Sequence, residues 1–111
     1  MIKIQYASDL HLEFLENTLY LEAHPLQPVA DILVLAGDTG YLGDEGFVKH
    51  PFWDWASEHF KQVVVIPGNH EFYKGYDLGQ LHDGWSLSVR PNVKYYYNAV
   101  IPLSEDTDLI V

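Results

Sequence analysis

Three short apolar runs, each closed by a polar turn, constrain this chain more than any other feature. Ile2 to Ala7 is β-prone and ends at Ser8 and Asp9. Asp31 to Ala36 is apolar from its second residue and is closed by Gly37 and Asp38, and Gln62 to Ile66 is closed by Pro67, Gly68 and Asn69. The second and third runs are continuous rather than alternating, which is what strands buried on both faces look like, and such strands belong to parallel sheets covered by helices.

The segments between the runs support that reading. Within Glu45 to Phe60, the residues Phe52, Trp55, Ala56, His59 and Phe60 share one helical face, which predicts an amphipathic helix beginning near Pro51. Leu12 to Pro28 predicts a turn of helix around Leu19 to Ala23, ended by Pro25 and Pro28. Alternating strands and helices imply right-handed crossovers and a βαβαβ-like α/β fold with a largely parallel sheet. Beyond Asn69 the pattern weakens. Gly75, Gly79 and Gly84 leave only a short, broken helix within Tyr73 to Ser88. Val93 to Tyr97 reads as a strand, Asn98 to Pro102 as a turn and edge, and Asp108 to Val111 as the opening of another strand.

Composition removes several function classes. The 111 residues carry 16 acidic and 6 basic side chains, a formal charge of -10, and so repel phosphate backbones rather than binding nucleic acid non-specifically. Without cysteine there is no disulfide framework, thiolate site or Cys nucleophile. The first residues have no signal-peptide core, and no apolar run approaches the roughly 20 residues that span a bilayer. The expectation is a cytoplasmic protein with no membrane partner.

In open α/β sheets, sites form beyond the carboxyl ends of the strands. There the chain places Asp9-Leu10-His11, then Gly37-Asp38-Thr39-Gly40, then Gly68-Asn69-His70-Glu71. Asp9 and His11, two residues apart in an extended chain, would point to one side and reach one cation. A short Asp side chain after a Gly suits close approach to a metal. Asn69 offers a neutral carbonyl oxygen, and His70 could address whatever a metal holds. Taken singly, each loop also reads as an ordinary turn, and Glu71 as a charge at a helix N-terminus.

Taken together and in this order, the three loops resemble the opening fingerprint of the calcineurin-like metallophosphoesterases: Asp-x-His, Gly-Asp, Gly-Asn-His-(Asp/Glu). The intervals fit as well, with Asp38 27 positions after His11 and Asn69 31 positions after Asp38. The resemblance is clear from Ile2 to about Tyr73. It implies a β-sandwich flanked by helices, of which this chain supplies the N-terminal half. It implies that Asp9 and His11 bind a first metal, that Asp38 bridges two, that Asn69 binds the second, and that His70 is the catalytic group beside the phosphoryl. It also implies two divalent ions, with Mn, Fe, Zn and Ni all suited to mixed N/O ligands. The reaction implied is hydrolysis of a phosphomonoester or phosphodiester by a hydroxide activated between the ions. The substrate would be a phosphorylated small molecule or a nucleotide.

Two departures qualify the resemblance. Many members carry an Asp three residues after the bridging one, which orients the catalytic His; here that position is Tyr41. The later histidines that complete both metal shells have no counterpart, since His82 matches neither motif and reads, like His24, His50 and His59, as a surface residue. The expectation is therefore a partial domain, residues 1–111, lacking its C-terminal half and self-associating to cover an exposed sheet. The alternative is a non-catalytic fragment that binds metal or phosphate and self-associates. Tyr41, Tyr73, Tyr76, Trp53 and Trp85 are either core filler or the lining of a pocket for an aromatic or nucleotide leaving group.

Overall fold

A computed structural model describes residues 3–42, 46–68, 71, 84–105 and 107–111. Its elements are β1 (Ile4–Ala7), α1 (Leu15–Ala23), β2 (Ile32–Ala36), a 3-10 turn (Phe47–Lys49), α2 (Pro51–His59), β3 (Gln62–Ile66), β4 (Trp85–Arg90), β5 (Val93–Tyr97), β6 (Val100–Pro102) and β7 (Asp108–Ile110). The first five strands form one sheet in the order β1-β2-β3-β5-β4. β1, β2, β3 and β5 run parallel, while β4 is antiparallel to β5. β6 and β7 pair separately as an antiparallel hairpin. The α/β, largely parallel architecture expected from the apolar runs is present.

The core lies on one face of the large sheet. Leu33 and Leu35 of β2, Val63 and Val65 of β3, and Val93 and Tyr95 of β5 point into it, and α2 covers them with Phe52, Trp53 and Ala56. Trp53 and Trp85 belong to this core, so for them the pocket reading fails. Trp53 also donates from its indole nitrogen to the Phe47 carbonyl at 3.0 Å, which satisfies the one polar atom it buries. The expected helical face holds for Phe52, Ala56 and Phe60, whereas Trp53 is buried in place of the exposed His59. The C-terminus of α2 is tied to the β4–β5 turn by Asn92, whose amide donates to the carbonyls of Ser57 and Phe60 at 3.0 and 2.9 Å.

Two local expectations change. Trp85 to Ser88, read as part of a broken helix, instead begins strand β4. The alternation of Trp85, Leu87 and Val89 with Ser86 and Ser88 gives a side-chain period of two, and the serines are exposed while the apolar residues face inward. The remainder of that expected helix from Tyr73 to Asp83 lies outside the described residues, His82 included, and Gly84 is a turn residue with positive φ. The second change concerns α1, which is a full nine-residue helix rather than one turn. It has no buried residue and no side-chain N-cap, so its sequence carries little periodic signal. No described helix is long and apolar enough to cross a membrane.

The opposite face of the sheet is open at β1, where Ile4 is 42% and Tyr6 80% exposed.

His24 and His59 are exposed, but His50 is not a plain surface residue. Its Nδ1 accepts from the Phe52 amide at 3.1 Å, capping α2, and its Nε2 lies 3.1 Å from the Thr18 hydroxyl of α1. Burial lowers its pKa below the usual 6.5, opposed by the Glu22 carboxylate. A lowered folded-state pKa means that the unfolded chain takes up the proton first as pH falls. Stability supplied by neutral His50 is therefore fully present above about 6.5 and is lost below it. Urea unfolding at pH 7.5 and 5.5 should show a smaller midpoint difference for His50→Asn, which keeps a cap acceptor, than for wild type.

Candidate metal centre

Because β1, β2 and β3 are parallel neighbours, their carboxyl-terminal loops emerge side by side. Backbone hydrogen bonds lace the first two together beyond the strands: Asp9 N–H to Gly37 C=O at 3.0 Å, His11 N–H to Asp38 C=O at 3.0 Å and Leu12 N–H to Thr39 C=O at 2.7 Å. The third loop presses on the second at Gly68. A Cβ there would stand 2.5 Å from Asp38 Oδ1 and 2.7 Å from its backbone nitrogen, so only glycine fits.

Glu71 completes the junction. Its side chain is fully buried, and its two oxygens accept four hydrogen bonds. Oε1 takes the amides of Gly68 at 2.7 Å and Asp38 at 2.9 Å, and Oε2 takes the amide of Thr39 at 2.8 Å and the hydroxyl of Tyr95 at 3.0 Å. The Leu42 amide also bonds the Glu71 carbonyl at 3.0 Å. Glu71 is thus an interior clamp and not a solvated charge at a helix start. Tyr95 stays a neutral donor, its pKa pushed well up by burial and then by the negative charges of Glu71 and Glu13.

On this frame, ligand atoms of Asp9, His11 and Asp38 lie within 4.8 Å of one another, the one such group among the described residues. All three residues have positive φ, at 57°, 48° and 54°. The expectation that Asp9 and His11 converge by extended alternation is therefore wrong in its geometry, although the side chains do meet. Asp and His tolerate the left-handed region better than most residues, and such conformations persist where surrounding structure over-determines them. The laced loops supply that constraint. His11 Nε2 faces Asp9 Oδ1 at 3.7 Å, and its Nδ1 lies 3.0 Å from Glu13 Oε1. Asp9 is the most open of the three, with its side chain 62% exposed, so the group is reachable from solvent.

Two carboxylates and an imidazole converging from rigid loops suit a divalent transition ion. Asn69 and His70 lie outside the described residues. Tyr41 is half-buried. The sequence reading overlooked Glu13 and Tyr95. Glu13 had a signal, since it extends the every-second-residue spacing of Asp9 and His11, whereas Tyr95 looked like any aromatic in a buried strand.

Comparison with protein families matches residues 2–109 to the calcineurin-like phosphoesterase model. The chain belongs to that family. Comparisons with curated proteins and with solved structures returned no match. Membership of this family fits the gathering of Asp9, His11 and Asp38 at the ends of β1 and β2.

Removing the Tyr95 hydroxyl leaves the buried Glu71 carboxylate one donor short. Tyr95→Phe should lower unfolding stability by about 1–3 kcal/mol, read by urea denaturation. An unchanged midpoint would mean that Glu71 does not depend on this donor.

Proposed function

We propose that the chain serves metal-dependent hydrolysis of a phosphomonoester or phosphodiester, with Asp9, His11 and Asp38 as metal ligands. The observation that carries this reading is the convergence of those three side chains at the carboxyl ends of β1 and β2, in a chain of this family. In the proposal Asn69 holds a second divalent ion that shares Asp38, and His70 acts beside the phosphoryl group. The chain is read as the first half of the domain, with the rest of the second ion's shell coming from residues other than these. Manganese, iron, zinc and nickel all suit the donors.

Each residue has a distinct task. Asp9 and His11, fixed by the loop hydrogen bonds, hold one ion at the open side. Asp38, held on the loop clamped by Glu71, would be a ligand for the ions. His70 either protonates the leaving oxygen or steadies the transition-state charge. The ions, when bound, supply Lewis acidity toward phosphoryl oxygens and lower the pKa of water. The substrate in this reading is a phosphorylated small molecule or nucleotide, met in the cytoplasm. The overall charge of -10 disfavours extended nucleic acid, while bound cations reverse the potential locally.

Self-association is part of the proposal, through the open sheet face that carries Ile4 and Tyr6. Sedimentation should show a dimer or larger species, and a stable monomer would remove that element alone.

The catalytic claim is tested with p-nitrophenyl phosphate and bis(p-nitrophenyl) phosphate in added Mn²⁺. Hydrolysis should depend on the metal and fall about 100-fold or more in Asp38→Asn. Metal binding without turnover would favour the non-catalytic alternative.

A further inference from the structure

The mechanism above uses Asp9, His11 and Asp38 but leaves unexplained a buried carboxylate beside them. The Glu13 side chain is 3% exposed, and its Oε1 lies 3.0 Å from His11 Nδ1. We infer that Glu13 is a positioning residue that fixes His11 as the Nδ1–H tautomer and so presents Nε2 as the metal-binding atom.

Among the described residues, the two nitrogens of His11 have unequal partners, and the distances distinguish them. At 3.0 Å the Nδ1 to Glu13 contact is a hydrogen bond, and a carboxylate can only accept it, which places the proton on Nδ1. The Nε2 to Asp9 contact at 3.7 Å is too long for a hydrogen bond. Environment points the same way, because Glu13 is buried where electrostatic attraction is strong and Asp9 is largely exposed where it is screened. The Nε2 lone pair then faces the cluster formed with Asp9 and Asp38.

The backbone beneath the ring is restrained as well. The Asn17 side-chain amide donates to the carbonyls of Leu10 and His11 at 3.3 and 3.2 Å, and the His11 amide is bound to Asp38. Among the described residues, main chain and ring are thus held by separate partners, with Glu13 bonded to the ring. A histidine whose far nitrogen donates to a carboxylate is a more basic and better oriented ligand.

The metal half of this inference rests on the proposed function, whereas the tautomer does not, and the experiment separates them. The ¹⁵N spectrum of the metal-free chain at pH 8.5 should show His11 protonated at Nδ1. Glu13→Gln keeps an acceptor oxygen and should retain that form, while Glu13→Ala should lose it. Calorimetric titration with Zn²⁺ should then show affinity reduced about 10–100-fold in Glu13→Ala and less in Glu13→Gln. Zn²⁺ should also shift the Nε2 resonance of wild type. A purely structural Glu13 would change stability without moving the tautomer.

Wild-type His11 protonated at Nε2 would overturn the inference. So would a folded Glu13→Ala chain with wild-type tautomer and affinity. If Glu13→Ala does not fold, the wild-type and Glu13→Gln spectra decide. An Nδ1–H ring with no Zn²⁺ uptake would overturn the proposed function and uphold the hold of Glu13 on the ring.

Discussion

The arrangement of the three strand-end loops depends on one buried carboxylate. Glu71 comes from the third loop, yet it accepts the amides of Asp38 and Thr39 in the second and of Gly68 in its own. These amides lie beyond the strands, where the ladder no longer supplies acceptors, and unpaired they would each cost free energy in the interior. A carboxylate can accept all of them, with the Tyr95 hydroxyl filling a further position. The clamp makes the placement of Asp38 a property of the core and not of a loop left to itself.

The first loop is held differently. Among the described residues, no buried acid of another loop reaches across to it. Instead its amides at Asp9, His11 and Leu12 continue the parallel pairing onto Gly37, Asp38 and Thr39. Order therefore passes from the core through Glu71 to the second loop, and from there to the first. The left-handed backbone at Asp9, His11 and Asp38 is the local result. Such conformations cost of order 1–3 kcal/mol each when unsupported, and here hydrogen bonds on both sides of each residue oppose relaxation.

Sequence and structure agree where the pattern was strong. The runs ending at Ala36 and Ile66 were legible because strands buried on both faces have nowhere to put a polar residue. The convergence of Asp9, His11 and Asp38 was legible because parallel strands bring consecutive strand ends together. What stayed hidden depended on tertiary partners. Nothing local distinguishes Glu71, exposed on a helix start, from Glu71 enclosed by amides of another loop. His50 looked like a surface residue because its partners, Thr18 and Phe52, come from two helices. The α1 helix gave almost no signal, since helices are usually betrayed by a buried stripe and this one has no fully buried residue, with Leu21 only partly buried against the core. The β4 strand was obscured by neighbouring glycines, although the Trp-Ser-Leu-Ser alternation was present.

The edge position of β1 bears on the site in another way. Among the described residues this four-residue strand pairs with β2 alone, and Ile4 and Tyr6 leave one of its faces open. A slip of two residues along β2 would preserve which side chains face inward, so the core by itself discriminates weakly against it. That slip would carry Asp9 and His11 about 7 Å along the strand direction, at roughly 3.3 Å per residue. The ligand atoms now lie within 4.8 Å of each other, so the shifted pairing could not gather them around one ion. An ion bound there would thus act as a gauge of strand alignment, favouring the single register in which the edge strand is correctly seated.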